Sequence, residues 1–212
     1  MISPNDLELI RPLCGARRHI LCPDWPSLRG IVAWVSQEHS LHGYLRVLDV
    51  GACIGAFSME VLRVAEYAHI DAFEPSDLAW PYLHHNLSWS NVRLHKVAVS
   101  DKEGVASLAC PHGRVGTETL YGKDGRSVRT VAIDDFITGP VDIIKIDTEG
   151  HEVEVLNGAS KTIDRWHPNL IVELLDKNQA LAGRTVEDVV SVITKHGYRK
   201  SQQITLNDWI FT

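Results

Sequence analysis

The chain lacks several features, and each absence narrows what it can do. It has no excess of basic charge: 21 lysines and arginines stand against 27 aspartates and glutamates, for a formal net charge of -6. A nucleic-acid backbone is therefore not an expected partner, because such binding needs a basic face. Arg11, Arg17 and Arg18 beside His19 form the one basic cluster near the start. No apolar run approaches the roughly 20 residues of a membrane span, so no membrane role is expected. Met1 to Leu13 carries Asp6 and Glu8 and lacks the apolar core of a signal peptide. Four cysteines are scattered without a C-x-x-C pair. They read as reduced thiols of a cytoplasmic protein, with Cys14 and Cys22 close enough to leave a disulfide or shared metal open. Eleven histidines form no HExxH or HxH pattern, so no metal is expected by default. No GxGxxG run, internal repeat or low-complexity linker occurs.

What is present begins at Val47-Leu48-Asp49-Val50-Gly51-Ala52-Cys53-Ile54-Gly55-Ala56-Phe57-Ser58. A short apolar run meets a small-residue loop, and an amphipathic stretch with Phe57, Val61, Leu62 and Val64 follows. Strand, tight turn and helix are predicted, an arrangement that aims backbone N–H groups and a helix N-terminus at a ligand. Gly51 and Gly55 mark positions of positive φ or of close approach by a ligand. His69 to Phe73 reads as a second strand ending at Glu74-Pro75. An acid there, about two dozen residues past a glycine loop, is where nucleotide ribose hydroxyls are held in α/β folds.

The length suits one domain over 1–212, with 1–42 as an N-terminal lead or lid and 43–212 as the core. In the lead, Pro12, Pro23 and Pro26 precede a helix predicted over Ser27 to His39, capped by Ser27. Beyond Glu74 the pattern predicts a helix over Asp77 to Leu87 with Pro81 in its first turn, then a third strand over Val92 to Val99. Ala106 to Cys110 and Val128 to Val131 read as a hairpin appended to the sheet. Its polar loop, Pro111 to Arg126, is expected to have a mobile tip and is a candidate substrate contact. Val141 to Ile146 is a buried parallel strand. It leads into Asp147-Thr148-Glu149-Gly150-His151-Glu152 and a helix that Gly158 stops. Asn169 to Leu174 is another buried strand. Thr185 caps a helix carrying Val186, Val189, Val190 and Ile193, closed by Gly197. Tyr198 to Leu206 and Trp209 to Phe211 flank Asn207-Asp208, a two-residue hairpin signal.

These pieces, in order, resemble a known family. Asp49-Val50-Gly51-Ala52…Gly55, Ala72-Phe73-Glu74-Pro75, Ala98-Val99-Ser100-Asp101, Thr130 to Phe136, Ile146 to Glu152, Val155 to Ala159 and Pro168 to Glu173 are similar to the FkbM family of S-adenosylmethionine-dependent methyltransferases. The likeness spans about residues 45 to 175, and the Ile-Asp-x-Glu-Gly-x-Glu element is its most specific part. Cys53 departs from it, since the family commonly has Asn there.

The resemblance implies an α/β, Rossmann-like class I methyltransferase fold. That means a seven-stranded, mostly parallel sheet with helices on both faces and a terminal antiparallel hairpin. It also implies O-methylation of a hydroxyl on a sugar or other natural product, small or carrier-bound, with N-methylation or a catalytically silent binding module as alternatives. The cofactor would be held by Asp49, Gly51, Ala52, Cys53, Gly55, Phe57, Glu74, Pro75, Ala98, Val99, Ser100 and Asp147. Asp49 would orient the loop or the cofactor's amino group, and Ala98 to Ser100 would lie against adenine. For the acceptor's proton the candidates are His151 and Asp147, with Glu149 setting orientation or charge. Mg²⁺ on Asp147 and Glu173 ranks below metal-free catalysis for want of a third ligand. The missing GxGxxG argues against a nicotinamide dehydrogenase. The site is expected to be open, or completed by a second copy in a homodimer.

Overall fold

The computed structural model describes residues 45–212 except 89, 112 and 204–206. The predicted Ser27 to His39 helix, the 1–42 lead, the basic cluster and the Cys14/Cys22 pair lie outside the described residues.

The chain runs β1 (Arg46–Val50), α1 (Ala56–Val64), β2 (His69–Phe73), α2 (Trp80–Leu87), β3 (Val92–His95), β4 (Ala98–Val99), β5 (Gly104–Leu108) and β6 (Arg126–Val131). It continues with α3 (Ile133–Phe136), β7 (Ile143–Ile146), α4 (Glu152–Gly158), α5 (Ser160–Trp166), β8 (Asn169–Glu173), α6 (Asp176–Gln179), α7 (Val186–Lys195), β9 (Lys200–Gln203) and β10 (Asp208–Phe211). Seven strands form one sheet in the order β3-β2-β1-β7-β8-β10-β9, and β4-β6-β5 form a second. In the large sheet only β10 is antiparallel to its neighbours, β8 and β9.

Alternation along the strands assigns the two faces. Val47 of β1 and Ile143 of β7 pack with Phe57 and Val61 of α1. Leu48, Val50, Ile144 and Ile146 point the other way, onto Val155 and Leu156 of α4, Ile163 of α5 and Val189 and Ile193 of α7. Helices thus cover both faces, as the near-continuous apolar strands require. Helix α7 carries the expected cap: Thr185 Oγ1 accepts from Asp188 N, and the Asp188 carboxylate accepts from Thr185 N. Gly197, at φ 88°, closes it.

Four expectations are corrected or refined. The strand predicted over Val92 to Val99 breaks after His95. Phe73, the last residue of β2, pairs with His95, so beyond it the backbone finds new partners, and Ala98 and Val99 pair with Thr130 and Val131 of β6. For the same reason the hairpin is not appended to the main sheet but completes a sheet of its own. Helix α4 does end at Gly158, but not through a left-handed residue; a Cβ there would lie 2.0 Å from Ser100 O, so glycine is needed for close packing, and α5 follows at once. Asp208 belongs to β10, opposite Glu173, so Asn207-Asp208 is not a two-residue turn. The short helices α3 and α6 had no periodic signal long enough to be read.

Candidate functional site

The parallel register brings one end of every central strand to the same level. Val50 lies opposite both Phe73 and Ile146, and Ile146 lies opposite Val172. The next residues, Gly51, Glu74, Asp147 and Glu173, therefore stand side by side at the carboxyl edge. The strand order reverses between β1 and β7, the position where open α/β sheets bind ligands. A cleft of about 620 Å³, part of it continuous with solvent, opens here between that edge and the loop from residue 111 to 126.

The loop after β1 is shaped from within. Gly51 N and Ala52 N both donate to Phe73 O at 3.0 Å, and Gly55 N donates to Ala52 O. Cys53 N donates to Glu74 Oε2 at 2.7 Å. Four of the loop's backbone N–H groups, those of Gly51, Ala52, Cys53 and Gly55, are thus spent on the fold. Gly51, at φ 78°, is obligatory because a Cβ would meet Asp147 O at 1.9 Å. Cys53 adopts φ 52°, a left-handed conformation that suits the asparagine common in the resembled family better than a cysteine.

Glu74 is buried, yet it lines the cleft. Its Oε2 holds Cys53 N and its Oε1 holds Ser76 N, each at 2.7 Å. Each oxygen keeps a lone pair for a further donor. Burial pushes this carboxyl up to about 7, against the two backbone bonds.

Asp49 is fully buried and does not line the cleft. Its Oδ2 accepts from Ser58 Oγ at 2.7 Å, so it serves the first turn of α1. No local sequence pattern marks its neighbour, Lys145. The ammonium donates to Gly51 O at 3.1 Å and to Asp147 Oδ2 at 3.3 Å, and lies 3.7 Å from Asp49 Oδ1. Burial works against this charge, but Asp147, Asp49 and Asp208 outweigh it and raise the ammonium's pKa. One interior cation thus ties the glycine loop to the end of β7.

The turn after β7 is set by Glu152. Its Oε1 accepts from Thr148 N, Thr148 Oγ1 and Gly150 N, at 2.9, 3.0 and 3.2 Å, and Gln179 donates to its other oxygen. This acid is structural. Glu149, left-handed at φ 54°, lines the cleft with Asp147. Asn178 Nδ2 donates to Glu149 Oε2 at 2.7 Å and to Glu173 Oε2 at 3.2 Å. Asp147, Glu149 and Glu173 each present one oxygen, all within 4.8 Å of one another. Glu149, expected to set orientation or charge, is thus also the third carboxylate beside Asp147 and Glu173.

His151 also lines the cleft. Its Nε2 pairs with Ser100 Oγ at 3.0 Å and its Nδ1 with Tyr121 OH at 3.1 Å, with Glu154 3.5 Å away. Burial lowers its pKa despite Glu154, which favours the neutral ring, and both nitrogens are engaged.

Of the expected site residues, the cleft gathers Gly51, Cys53, Glu74, Pro75, Ala98, Val99, Asp147, Glu149 and His151. Asp49, Ala52, Gly55, Phe57 and Ser100 lie off it; Phe57 belongs to the core beneath α1. The cleft also takes Gly116, Glu118 and Leu120 from the loop after β5. That loop is tied down: Ala109 and Thr119 exchange both backbone bonds, Thr119 Oγ1 donates to Glu149 O, and Arg126 donates to Pro75 O. Val115 is buried against Ile54 and Ala79. The loop thus forms one wall of the cleft.

A family model described as the methyltransferase FkbM domain matches residues 49–200. The chain belongs to the FkbM methyltransferase family. The chain is 25% identical over 162 residues to Methyltransferase 1 of Beauveria bassiana, covering 61% of this chain and 64% of that protein. In structure it is similar to Methyltransferase FkbM of Methylobacillus flagellatus, with a TM-score of 0.56 at 17% identity, over 79% of this chain and 43% of that one. It is also similar to Aeropyrum pernix fibrillarin, crystallised with S-adenosyl-L-methionine, with a TM-score of 0.51 at 9% identity, over 88% and 75% of the two chains. At these identities the structural likeness speaks for the fold. The chain spans less than two thirds of the fungal relative's length and under half of the Methylobacillus protein's. Among the described residues no helix is long and apolar enough to cross a membrane.

Proposed function

We propose that the cleft binds S-adenosylmethionine and that the protein transfers a methyl group to a hydroxyl of a sugar or other natural-product acceptor. The observation that carries the reading is Glu74: a buried carboxylate at the end of β2, lining the cleft, with lone pairs left for two hydroxyl donors. The lining chemistry suits this cofactor. Glu74, Glu118, Asp147 and Glu149 all border the cleft, which favours a ligand bearing an ammonium and a sulfonium. Pro75, Val97, Ala98 and Leu108 offer an apolar slot for a flat base.

When bound, the cofactor supplies a methyl carbon on positively charged sulfur, already joined to a good leaving group. The chain's own residues then have to align the acceptor and remove its proton. Asp147 and Glu149 are the carboxylates at the cleft to take that proton. His151, with both nitrogens engaged, is better suited to fix the wall that Ser100 and Tyr121 share. This revises the preference among the expected bases, while Lys145 holds Asp147 in place.

Transfer of labelled methyl from S-adenosylmethionine to a panel of hydroxylated acceptors tests the reading, with product analysis reporting whether oxygen or nitrogen is methylated. Asp147→Asn with Glu149→Gln is expected to lower kcat by roughly a hundredfold or more, and His151→Ala by far less. Near-normal turnover in the double variant would remove both carboxylates from the chemistry.

A further inference from the structure

Glu118 sits on the loop that walls the cleft, in a stretch whose backbone is fixed on both sides. Thr119 exchanges backbone bonds with Ala109 and donates its hydroxyl to Glu149 O. Gly116 lies over the glycine loop, close enough that a Cβ would come within 3.3 Å of Cys53 Sγ. Leu120 packs with Ala98 and Leu108 at the apolar end of the cleft. Glu118 therefore stands between the glycine loop and the slot for the base, on the same stretch of the cleft as Glu74.

Its Oε2 is buried and has no hydrogen-bond partner among the described residues. Its carboxylate also opposes the ionisation of Glu74, so the two acids border one space. A buried acceptor without a donor is costly, and a second carboxylate beside it adds to the cost. Ser76 and Arg126 attend to this side chain, but neither supplies a donor to Oε2. The missing donors are those a ligand brings, and a vicinal diol brings two hydroxyl protons to a place bordered by two carboxylates.

We propose that Glu118 is a second ribose-binding carboxylate, accepting a hydroxyl of the cofactor's ribose from the loop side while Glu74 accepts from the end of β2. The inference rests on reading the cleft as a nucleoside site. It moves the loop from 111 to 126 out of the acceptor pocket, where sequence placed it, and into the cofactor site.

The test is calorimetric titration of S-adenosylhomocysteine and of its 2′,3′-dideoxy counterpart into wild type, Glu118→Ala and Glu118→Gln. Glu118→Ala is expected to weaken S-adenosylhomocysteine by about tenfold to a hundredfold, the span of a hydrogen bond to a charged acceptor. The dideoxy compound, which has no hydroxyl to give, is expected to bind wild type and variant alike. Glu118→Gln, which keeps one acceptor oxygen and the side-chain shape, is expected to fall between, and it carries the test if the alanine variant does not fold. Equal weakening of both compounds would make Glu118 a packing residue and overturn the proposal, as would unchanged affinity for S-adenosylhomocysteine. A loss that follows replacement of adenine by hypoxanthine would overturn the ribose assignment. Failure of wild type to bind S-adenosylhomocysteine would refute the cofactor reading itself.

Discussion

Replacing Glu74 by glutamine removes a charge from a buried position, and the consequence depends on pH with a definite sign. Burial raises this carboxyl from 4.5 to about 7 in the folded protein. A raised acid holds its proton more tightly when folded, so its stabilising effect is complete below the unfolded value and is lost as pH climbs through the folded one. Between pH 5 and pH 8 the wild type should therefore lose about 2 to 3 kcal/mol that a neutral side chain would not lose, since each tenfold gain in proton affinity is worth about 1.4 kcal/mol. Glutamine has a different cost. It accepts from only one of Cys53 N and Ser76 N and turns an amide N–H toward the other, at about 1 kcal/mol. That cost is the same at every pH. Urea unfolding of both proteins at several pH values, compared as a difference, isolates the slope. Glu74→Gln should be the less stable at pH 5 and the more stable at pH 8. Parallel curves for the two proteins would refute the assignment of a buried, ionising Glu74. In the same series, hydroxyl donors favour the ionised acid, so affinity for S-adenosylhomocysteine should rise with pH through neutrality in wild type and rise less steeply in Glu74→Gln, where of the two acids only Glu118 still titrates.

The remaining predictions follow from packing and charge. Lys145→Met leaves Asp49 buried without its cation and should cost about 3 to 5 kcal/mol in denaturant unfolding; a loss under about 1 kcal/mol would make the cation dispensable. Cys53→Asn suits the left-handed backbone at φ 52° and should stabilise by about 0.5 to 1 kcal/mol; a lower melting temperature would contradict that. Gly158→Ala, whose Cβ would collide with Ser100 O, should destabilise by about 3 kcal/mol. Gly197→Ala, in open space at φ 88°, should cost about 1 kcal/mol, and a reversed order would mean that the α4–Ser100 contact yields easily. Turnover should be unaffected by EDTA, and a rate that depends on added Mg²⁺ would instead make Asp147, Glu149 and Glu173 a cation site.

Much of this was legible in the sequence because local chemistry carries it. The strand-and-helix alternation, the Thr185 cap and the acid closing β2 are each written in contiguous residues, and the parallel register then aligns Gly51, Glu74 and Asp147 without further information. What stayed hidden depends on partners distant in the chain. Lys145 reads as a lone charge in an apolar strand until Asp49, Asp147 and Gly51 are seen around it. Gly158 ends its helix as sequence suggests, but sequence cannot show that the carbonyl of Ser100 against it is what requires glycine. Glu118 sits in a polar loop with no periodicity, and only the pairing of Thr119 with Ala109 turns its side chain toward the cleft. Asp49, expected to orient the loop or the cofactor's amino group, accepts from Ser58 and lies off the cleft. Of the glycine loop's backbone donors, those of Gly51, Ala52 and Cys53 turn to Phe73 and Glu74 instead.

The central claim is that the carboxyl edge of this sheet is a nucleoside site gripped by Glu74. Calorimetric titration of S-adenosylhomocysteine into wild type and Glu74→Ala at pH 8 tests it most directly. Saturable one-to-one binding by wild type, competed by S-adenosylmethionine and weakened at least about tenfold in the variant, is the predicted result. No heat of binding with wild type, or equal affinity in the two proteins, would contradict it.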